Sequence, residues 1–224
     1  MIVVKKDFVL EYTKSYHYGK KLTSGKAYYL KDDNGNTYYA SKYYIDKYLN
    51  VDLSKIPDLT TSLISMTTNE NSINKTHTGN DNKFNHDKSN AITYIILRQE
   101  KLIEYNLSSY EPLKKYYDKY ISDGNLNDKD INHIINIEKR AKQRNTKLSL
   151  YNLRTCYAYE FILKRTLNYL EQNQKTNGVK FITSLISYLR KNYTLSENQI
   201  KGLENWLDYL PKDLRETKLM NFKN

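Results

Sequence analysis

The chain has 224 residues, a formal net charge of +11 and a sequence pI near 9.3. Cys156 is its single cysteine, which excludes an intrachain disulfide, and no run of about eighteen apolar residues predicts a membrane span. We therefore expect a cytoplasmic protein, in the host cytoplasm if it is viral, without a membrane partner. A basic excess of this size favours polyanionic partners, either nucleic acid or an acidic protein.

Residues 1–59 have the pattern of a small β-rich module. Four short segments alternate or combine β-forming residues in the way that strands do, namely 2–4, 8–12, 27–30 and 37–40. Between the last two of these segments, the dipeptide Asn34-Gly35 predicts a β-hairpin. Ser41 then suits the N-cap of a short helix over residues 42–49.

The rest of the chain divides into a linker and a helical module. Residues 60–90 are polar and lack a hydrophobic period, which predicts a flexible linker. From residue 91 to residue 224 the apolar spacing is helical and predicts about six helices in hairpins, ending near Leu210. The predicted fold class is therefore α+β, with a β-rich module at 1–59 and a mostly helical module at 91–224.

An internal repeat supports the helical hairpins. Residues 113–134 and 182–203 align without a gap at an offset of 69, by their apolar positions. In each copy a leucine is followed by a residue that can cap the second helix, Asn127 in one and Ser196 in the other. A third, partial copy places Ser149 in the same role. Similarity by chance is the alternative reading of such loose apolar matching, but the hairpins do not depend on the repeat.

The positive charge concentrates in the helical module. Residues 92–224 hold 23 Lys and Arg against 15 acids, and residues 139–154 hold six cations and no acid. Such a stretch can bind phosphates, and a nearby tyrosine can stack on a base. The predicted nucleic-acid-binding residues are Lys139, Arg140, Lys142, Arg144, Lys147, Tyr151, Arg154, Lys164 and Arg165. The alternative reading of the same stretch is a solvated face.

A second basic and aromatic set lies in the β-rich module. Its members are Lys14, Tyr16, Tyr18, Lys20, Lys21 and Lys26. Residues of these types can line one face of a small barrel, as in oligonucleotide-binding folds. Because two or three strand pairs do not define a barrel, other small β folds remain alternatives.

The sequence predicts no catalytic residue, no metal site and no cofactor. It lacks the glycine-rich phosphate motifs, and its four histidines and one cysteine lack the spacing of metal ligands. The turn at 123–125 has the composition of a calcium loop, but Lys119 and Ile121 occupy its first and third ligand positions. Cys156 lies on the apolar spacing of its helix, where a small buried side chain is expected, so pairing with His133 as a catalytic base is disfavoured.

Two stretches resemble parts of uncharacterised bacteriophage accessory proteins. Residues 27–49 resemble a strand-turn-strand-helix unit that often has a cysteine where Tyr43 and Tyr44 stand here. Residues 181–203, with the Leu-Ser-Glu-x-Gln motif at 195–199, resemble a helical hairpin of phage proteins that act on or near DNA. The resemblance implies a viral origin, and the missing cysteine removes any metal role that it would imply for the first unit.

Together these patterns predict a non-enzymatic, phage-encoded accessory protein that binds nucleic acid, DNA rather than RNA, through a basic helical face. Two alternatives come from other classes. One is a protein-interaction factor, such as an inhibitor of a host enzyme or defence complex, with an acidic host protein as its partner. The other is a virion component, which would assemble with itself or with particles.

Overall fold

The computed structural model describes residues 1–65, 80–103 and 110–223, and within them the fold is α+β as predicted. A small antiparallel sheet is followed by a mostly helical part. The strands are β1 (Ile2–Phe8), β2 (Lys26–Lys31), β3 (Thr37–Ala40), β4 (Leu63–Ser65) and β5 (Thr217–Leu219). The helices are α1 (Lys42–Tyr44), α2 (Asn80–Ile96), α3 (Glu111–Asp123), α4 (Asp128–Arg144), α5 (Leu150–Gln172), α6 (Thr176–Asn192), α7 (Glu197–Leu207) and α8 (Lys212–Arg215).

The hairpin predicted from the Asn-Gly dipeptide joins β2 to β3. The two strands pair antiparallel, and β1 pairs with the other edge of β2, which gives the order β1-β2-β3. In the turn, the Asp32 carboxylate accepts hydrogen bonds from the backbone N–H groups of Asn34 and Asn36, at 3.0 and 2.8 Å. Gly35 has φ +81°, a backbone conformation that is energetically unfavourable for residues with a Cβ atom. The local chemistry alone therefore fixes this turn.

The short helix predicted at 42–49 is present but changes its form along its length. Ser41 caps α1 by accepting a hydrogen bond from the backbone of Tyr44. The chain then widens into a π-helical turn, Ile45–Leu49, which ends at Asn50 in the left-handed conformation. Ile45 is fully buried and anchors this unit under the sheet.

The predicted capping residues begin three of the helices. Each side chain accepts a hydrogen bond from a backbone N–H three residues ahead: Asn127 at α4, Ser149 at α5 and Ser196 at α7. The helices α3 and α6 end at Gly124 and Tyr193, which lie 69 residues apart and both adopt a left-handed conformation, φ 67° and 58°. The offset found in the sequence thus recurs in the backbone of the two hairpins.

The structure differs from the predicted linker at both ends of residues 60–90. The first part forms β4 and the last part belongs to α2, while residues 66–79 lie outside the described residues. The polar side chains here do not prevent burial because they find partners. The hydroxyl of Ser62 lies 3.2 Å from that of Thr155, and the hydroxyl of Ser89 donates to a backbone carbonyl at 2.9 Å.

Beyond the predicted end of the helices near Leu210, the chain returns to the middle of the molecule. After α8, β5 pairs antiparallel with β4. The ring of Phe222 then stacks on Tyr159, with centroids 5.2 Å apart. The side-chain amide of Asn152 donates to the carbonyl of Lys223 at 2.7 Å and accepts from its N–H at 2.9 Å. These contacts join the last described residues to α5.

The N-terminal sheet packs directly on the helices. Phe8 belongs to the large hydrophobic cluster formed mainly by the helices, and its ring stacks on Phe161 at 4.2 Å. Asp7, beside it, is fully buried, accepts a hydrogen bond from the Tyr157 hydroxyl at 2.9 Å and pairs with the Lys101 ammonium at 2.9 Å. An apolar contact and a buried ion pair therefore hold β1 against α5 and the end of α2.

Candidate nucleic-acid interface

The last turns of α4 carry a group of exposed cations, Lys139, Arg140, Lys142 and Arg144, which we call the basic face. Lys147 follows in a short 3₁₀ turn and is partly buried. None of the four cations on the basic face forms an ion pair with an acid among the described residues, and the sequence has no acid between Glu138 and Glu160. The structure thus brings five of the nine predicted residues together on one stretch of the chain.

The local structure explains why positive charges are favourable at the C-terminal end of α4. Cations at the end of a helix interact favourably with its macrodipole, so this arrangement is also consistent with a solvated helix end. Glu138 is the nearest preceding acid, and its carboxylate accepts a hydrogen bond from the backbone N–H of Leu150 at 2.9 Å. Because Glu138 is held at the start of α5, it does not pair with the cations that follow it.

Arg154 departs from the predicted interface. Its Nε donates to the carbonyl of Asp58 at 3.1 Å, and its Nη2 donates to the side-chain oxygen of Asn90 at 3.0 Å. Burial lowers the pKa of this guanidinium, and Asp58 opposes that effect. Arg154 therefore connects α5 to α2 and to the segment before β4, because those interior oxygens need a donor.

Lys164 and Arg165 also lie away from the basic face. They follow Arg154 by ten and eleven residues on the same helix, which corresponds to roughly 15 Å of helical rise. Lys164 pairs with the buried carboxylate of Glu160 at 2.6 Å. The guanidinium of Arg165 lies 3.9 Å from the Glu11 carboxylate. Both cations thus face acids close to the N-terminal segment.

Tyr151 lies near the start of α5, but its ring is already in contact with another part of the chain. Its hydroxyl donates to the carbonyl of Asn221 at 3.0 Å. The ammonium of Lys223 lies 4.1 Å from the centre of its ring. Stacking of a base on that face, as the sequence suggested, would require Lys223 to move.

A cavity of about 450 Å³ opens beside the basic face and was not predicted. It lies between one face of α4, the π-helical turn Leu97–Lys101 that continues α2, and the start of α3. Its lining contains three arginines and consists of Arg98, Tyr110, His133, Asn136, Ile137, Arg140, Ala141, Arg144 and Leu148. We call it the arginine cavity.

Arg98 lines this cavity but was not among the binding residues predicted from the sequence. The sequence offered a signal, since Arg98 directly follows the apolar run at 94–97, and a cation beside such a run needs a buried partner or a cavity. Arg98 is 7 % exposed, and its Nη1 donates to the hydroxyl of Tyr94 at 3.0 Å. Its Nε is buried and has no hydrogen-bond partner among the described residues.

The pair considered as a nucleophile and a base has other contacts. Cys156 is fully buried, and this burial raises the pKa of its thiol, which disfavours the reactive thiolate. The Nδ1 atom of His133 lies 2.6 Å from the Tyr116 hydroxyl. In the described parts of the chain, no three His, Cys, Asp or Glu side chains are grouped closely enough to hold a metal ion.

The N-terminal module exposes a group of aromatic rings, together with Lys14, Lys20 and Lys21 of the predicted basic and aromatic set. Lys26, also a member of that set, is buried and donates to the carbonyl of Leu63. This aromatic group, which we call the tyrosine cluster, consists of the half-buried His17 and four exposed tyrosines, namely Tyr16, Tyr18, Tyr43 and Tyr48. The Lys47 ammonium lies 5.3 and 5.2 Å from the ring centres of Tyr43 and Tyr48.

Comparisons with known proteins give no match at the level of a family model, a curated protein or a solved structure. Among the described residues, no helix is both long and apolar enough to cross a membrane. The candidate interface is therefore argued from its own residues, contacts and charges.

Proposed function

We propose that this chain is a non-enzymatic, phage-encoded accessory protein that binds nucleic acid, DNA rather than RNA, through the basic face of α4. The observation that carries the proposal is that four exposed cations have no acidic partner among the residues that the structure describes. Elsewhere, cations such as Lys101 and Lys164 are paired with carboxylates. The phosphates of a nucleic-acid backbone supply the negative charge that the basic face lacks.

The proposal has a clear electrostatic signature. Each phosphate neutralised by a cation releases counterions, so the logarithm of the binding constant falls linearly with the logarithm of the salt concentration. For duplex DNA the slope is about −0.9 per phosphate contact, and for single strands it is about −0.7. Four contacts from the basic face therefore account for a slope of roughly −3 to −4.

The experiment is fluorescence anisotropy with labelled single-stranded DNA, duplex DNA and RNA of one sequence, at several salt concentrations. We expect wild-type binding to weaken steeply with salt. The combined variant Lys139→Gln, Arg140→Gln, Lys142→Gln and Arg144→Gln should reduce the slope by about 3 to 4 on duplex DNA. Each of the four substitutions should lower the free energy of unfolding by no more than about 0.3–1 kcal/mol, because these side chains are exposed and interact with the fold mainly through the helix macrodipole.

A matched control removes four exposed lysines near α6 and α7 instead, namely Lys175, Lys180, Lys191 and Lys201. This variant has the same net charge as the first and should keep most of the wild-type slope. Equal losses in the two variants would mean that net charge, and not the basic face, drives binding. No binding of any strand at low salt would exclude the proposed function.

A second candidate function, interaction with a protein, is supported by the tyrosine cluster. Tyr18 is 70 % exposed and Tyr43 is 60 % exposed, and tyrosine is enriched in the cores of protein interfaces. Tyr18 also has φ 65°, an uncommon backbone conformation for a residue with a side chain. A stoichiometric complex that survives nuclease treatment and is lost in Tyr18→Ala would favour this candidate.

A further inference from the structure

We propose that the arginine cavity binds the terminal phosphate monoester of a nucleic-acid strand, with Arg98, Arg140 and Arg144 as its phosphate ligands. This inference rests on the proposed function, since the strand that enters the cavity is the one that the basic face holds. It adds a preference for strand ends that a flat basic surface would not have.

The spacing of the residues on α4 builds one wall of the cavity. His133, Ile137, Arg140 and Arg144 recur at intervals of three or four positions, so they share one face of the helix. Arg140 and Arg144 lie one turn apart on this face. They therefore belong both to the basic face and to the rim of the cavity, which makes the two sites continuous.

The opposite wall of the cavity contains the buried Arg98, which has hydrogen-bond donors that are not used by the described residues. Arg98 comes from the π-helical turn Leu97–Lys101, and such turns are frequent at functional sites. More than nine-tenths of the residue is buried, yet Nη1 contacts a neutral hydroxyl and Nε has no hydrogen-bond partner among the described residues. A buried guanidinium without a carboxylate is costly unless an anion completes its environment. The cavity gives an anion access to it.

The size and charge of the site favour a terminal phosphate over an internal one. A volume of about 450 Å³ lies within the range of small-molecule pockets. A phosphate monoester carries a charge of about −1.5 to −2 at neutral pH and has three strong acceptor oxygens. Three arginines more than offset its charge and can donate to all three of its terminal oxygens, since guanidinium groups donate in pairs to phosphate oxygens. An internal diester has a single charge, and the sugars on both sides keep it out of a concave site.

The edge of the cavity is suited to the nucleotide that carries this phosphate. Tyr110, just before α3, lines the cavity and is 47 % exposed. A base attached to a bound phosphate can stack on such a ring without sequence preference. Asn136, exposed on α4, adds a side-chain amide to the same lining. The lining thus combines phosphate donors with an aromatic surface.

The experiment compares single-stranded DNA of one sequence with a 5′-phosphate, with a 3′-phosphate or with hydroxyls at both ends. The strands carry an internal fluorophore, so that both ends are accessible. We expect at least about tenfold tighter binding of one phosphorylated strand, as one bidentate contact to a charged group provides. Equal affinity for all three strands would overturn the inference and leave the proposed function intact.

Two variants assign the preference to the cavity. Arg98→Lys keeps the charge but removes the planar guanidinium, and the pair Arg140→Gln with Arg144→Gln changes the exposed wall without touching the buried one. Each should bring the affinity ratio of phosphorylated to unphosphorylated strands close to one. Arg215→Gln, at an exposed arginine of α8, is the matched control and should keep the wild-type ratio. A preference that persists in both cavity variants would place the phosphate elsewhere.

A terminal phosphate monoester could come from a nucleic-acid strand or from a free mononucleotide. Calorimetry with a deoxynucleoside monophosphate alone distinguishes these two ligands. Weak binding that depends on Arg98, with much tighter binding of the phosphorylated strand, supports the inference. Binding of the mononucleotide without binding of any strand would overturn it, and the proposed function would fail with it. If neither binds, both proposals are wrong.

Discussion

The junction between β1 and the end of α2 and the basic face of α4 both concentrate cations, in opposite surroundings. At the junction, the Lys101 ammonium lies 2.9 Å from Asp7 and 2.9 Å from Glu100, and the Lys5 ammonium lies 3.3 and 3.0 Å from the same two acids. On the basic face no acid in the described part of the chain forms an ion pair with the cations, although Glu138 precedes them directly in the sequence. The junction is mostly buried, whereas the basic face is exposed.

This difference separates cations that stabilise the fold from cations that remain available to a ligand. Burial alone would lower the pKa of Lys101, but Asp7 and Glu100 raise it above its ordinary value. Burial alone would raise the pKa of Glu100, but Lys5 and Lys101 lower it. The charged forms at the junction therefore depend on each other. Among the described residues the basic face has no such internal balance, which is why we propose that an external anion supplies it.

The largest expected effect comes from removing the charge of Asp7. Asp7→Asn can keep the hydrogen bonds that Oδ1 accepts from Tyr157 and from the backbone of Phe8, while Lys101 loses one of its two acids. Removing one partner of a buried ion pair costs roughly 3–5 kcal/mol, and we expect about 3 kcal/mol because Glu100 remains. Urea unfolding measures this loss, with the exposed Asp118→Asn as its control. A loss below about 0.5 kcal/mol, the level of an ordinary surface substitution, would show that the junction does not stabilise the fold.

A smaller effect tests the placement of Arg154. Arg154→Lys removes the planar fork that reaches Asp58 and Asn90, so we expect a loss of about 1–3 kcal/mol in the free energy of unfolding. The salt slope of nucleic-acid binding should not change. Arg144→Lys, at an exposed position, should stay within about 0.5 kcal/mol of wild-type stability. If Arg154→Lys changed the salt slope of nucleic-acid binding and not the free energy of unfolding, Arg154 would be a binding residue and not one that stabilises the fold.

The smallest effect is the pH dependence of the junction. The lowered pKa of Glu100 adds stability above its unfolded pKa, near about 4.3, and this stability is lost as pH falls through the folded value. The raised pKa of Lys101 adds stability below its unfolded pKa, near about 10.4, which is lost as pH rises through the folded value. Urea unfolding from below about pH 4.3 to above about pH 10.4 should show both limbs. Glu100→Gln should flatten the acid limb, and an unchanged acid limb would assign it to other carboxylates.

The sequence predicted those parts of the fold that depend on neighbouring residues. The turn at Gly35 and the caps Asn127, Ser149 and Ser196 are confirmed, because each involves hydrogen bonds over five residues or fewer. The apolar spacing of the helices is a local property as well, which is why the hairpins were predictable.

The parts that were not predicted depend on residues far apart in the chain. In the sequence, Arg154 looks like a cation that is available to a ligand. Only the fold brings it to the carbonyl of Asp58, which lies 96 residues earlier in the chain. Likewise, the sequence suggests that the Tyr151 ring can stack on a base, but in the fold Lys223 lies over that ring. The arginine cavity likewise needs Arg98 and α4 to be packed together. No local pattern reports which cations the fold itself will use, so the sequence could not separate Arg154, Lys164 and Arg165, which contact other parts of the chain, from the cations of the basic face.

The pairing of β4 with β5 has a consequence for how the chain folds during synthesis. Leu63 pairs with Leu219, so β4 cannot find its partner until more than 150 further residues have been translated. Such long-range pairing slows folding because the intervening loop must close first. A nascent chain that has emerged only as far as residue 216 would have helices that are capped and paired, yet an unpaired strand edge beside α5. That edge is where we would expect a chaperone to bind the nascent protein.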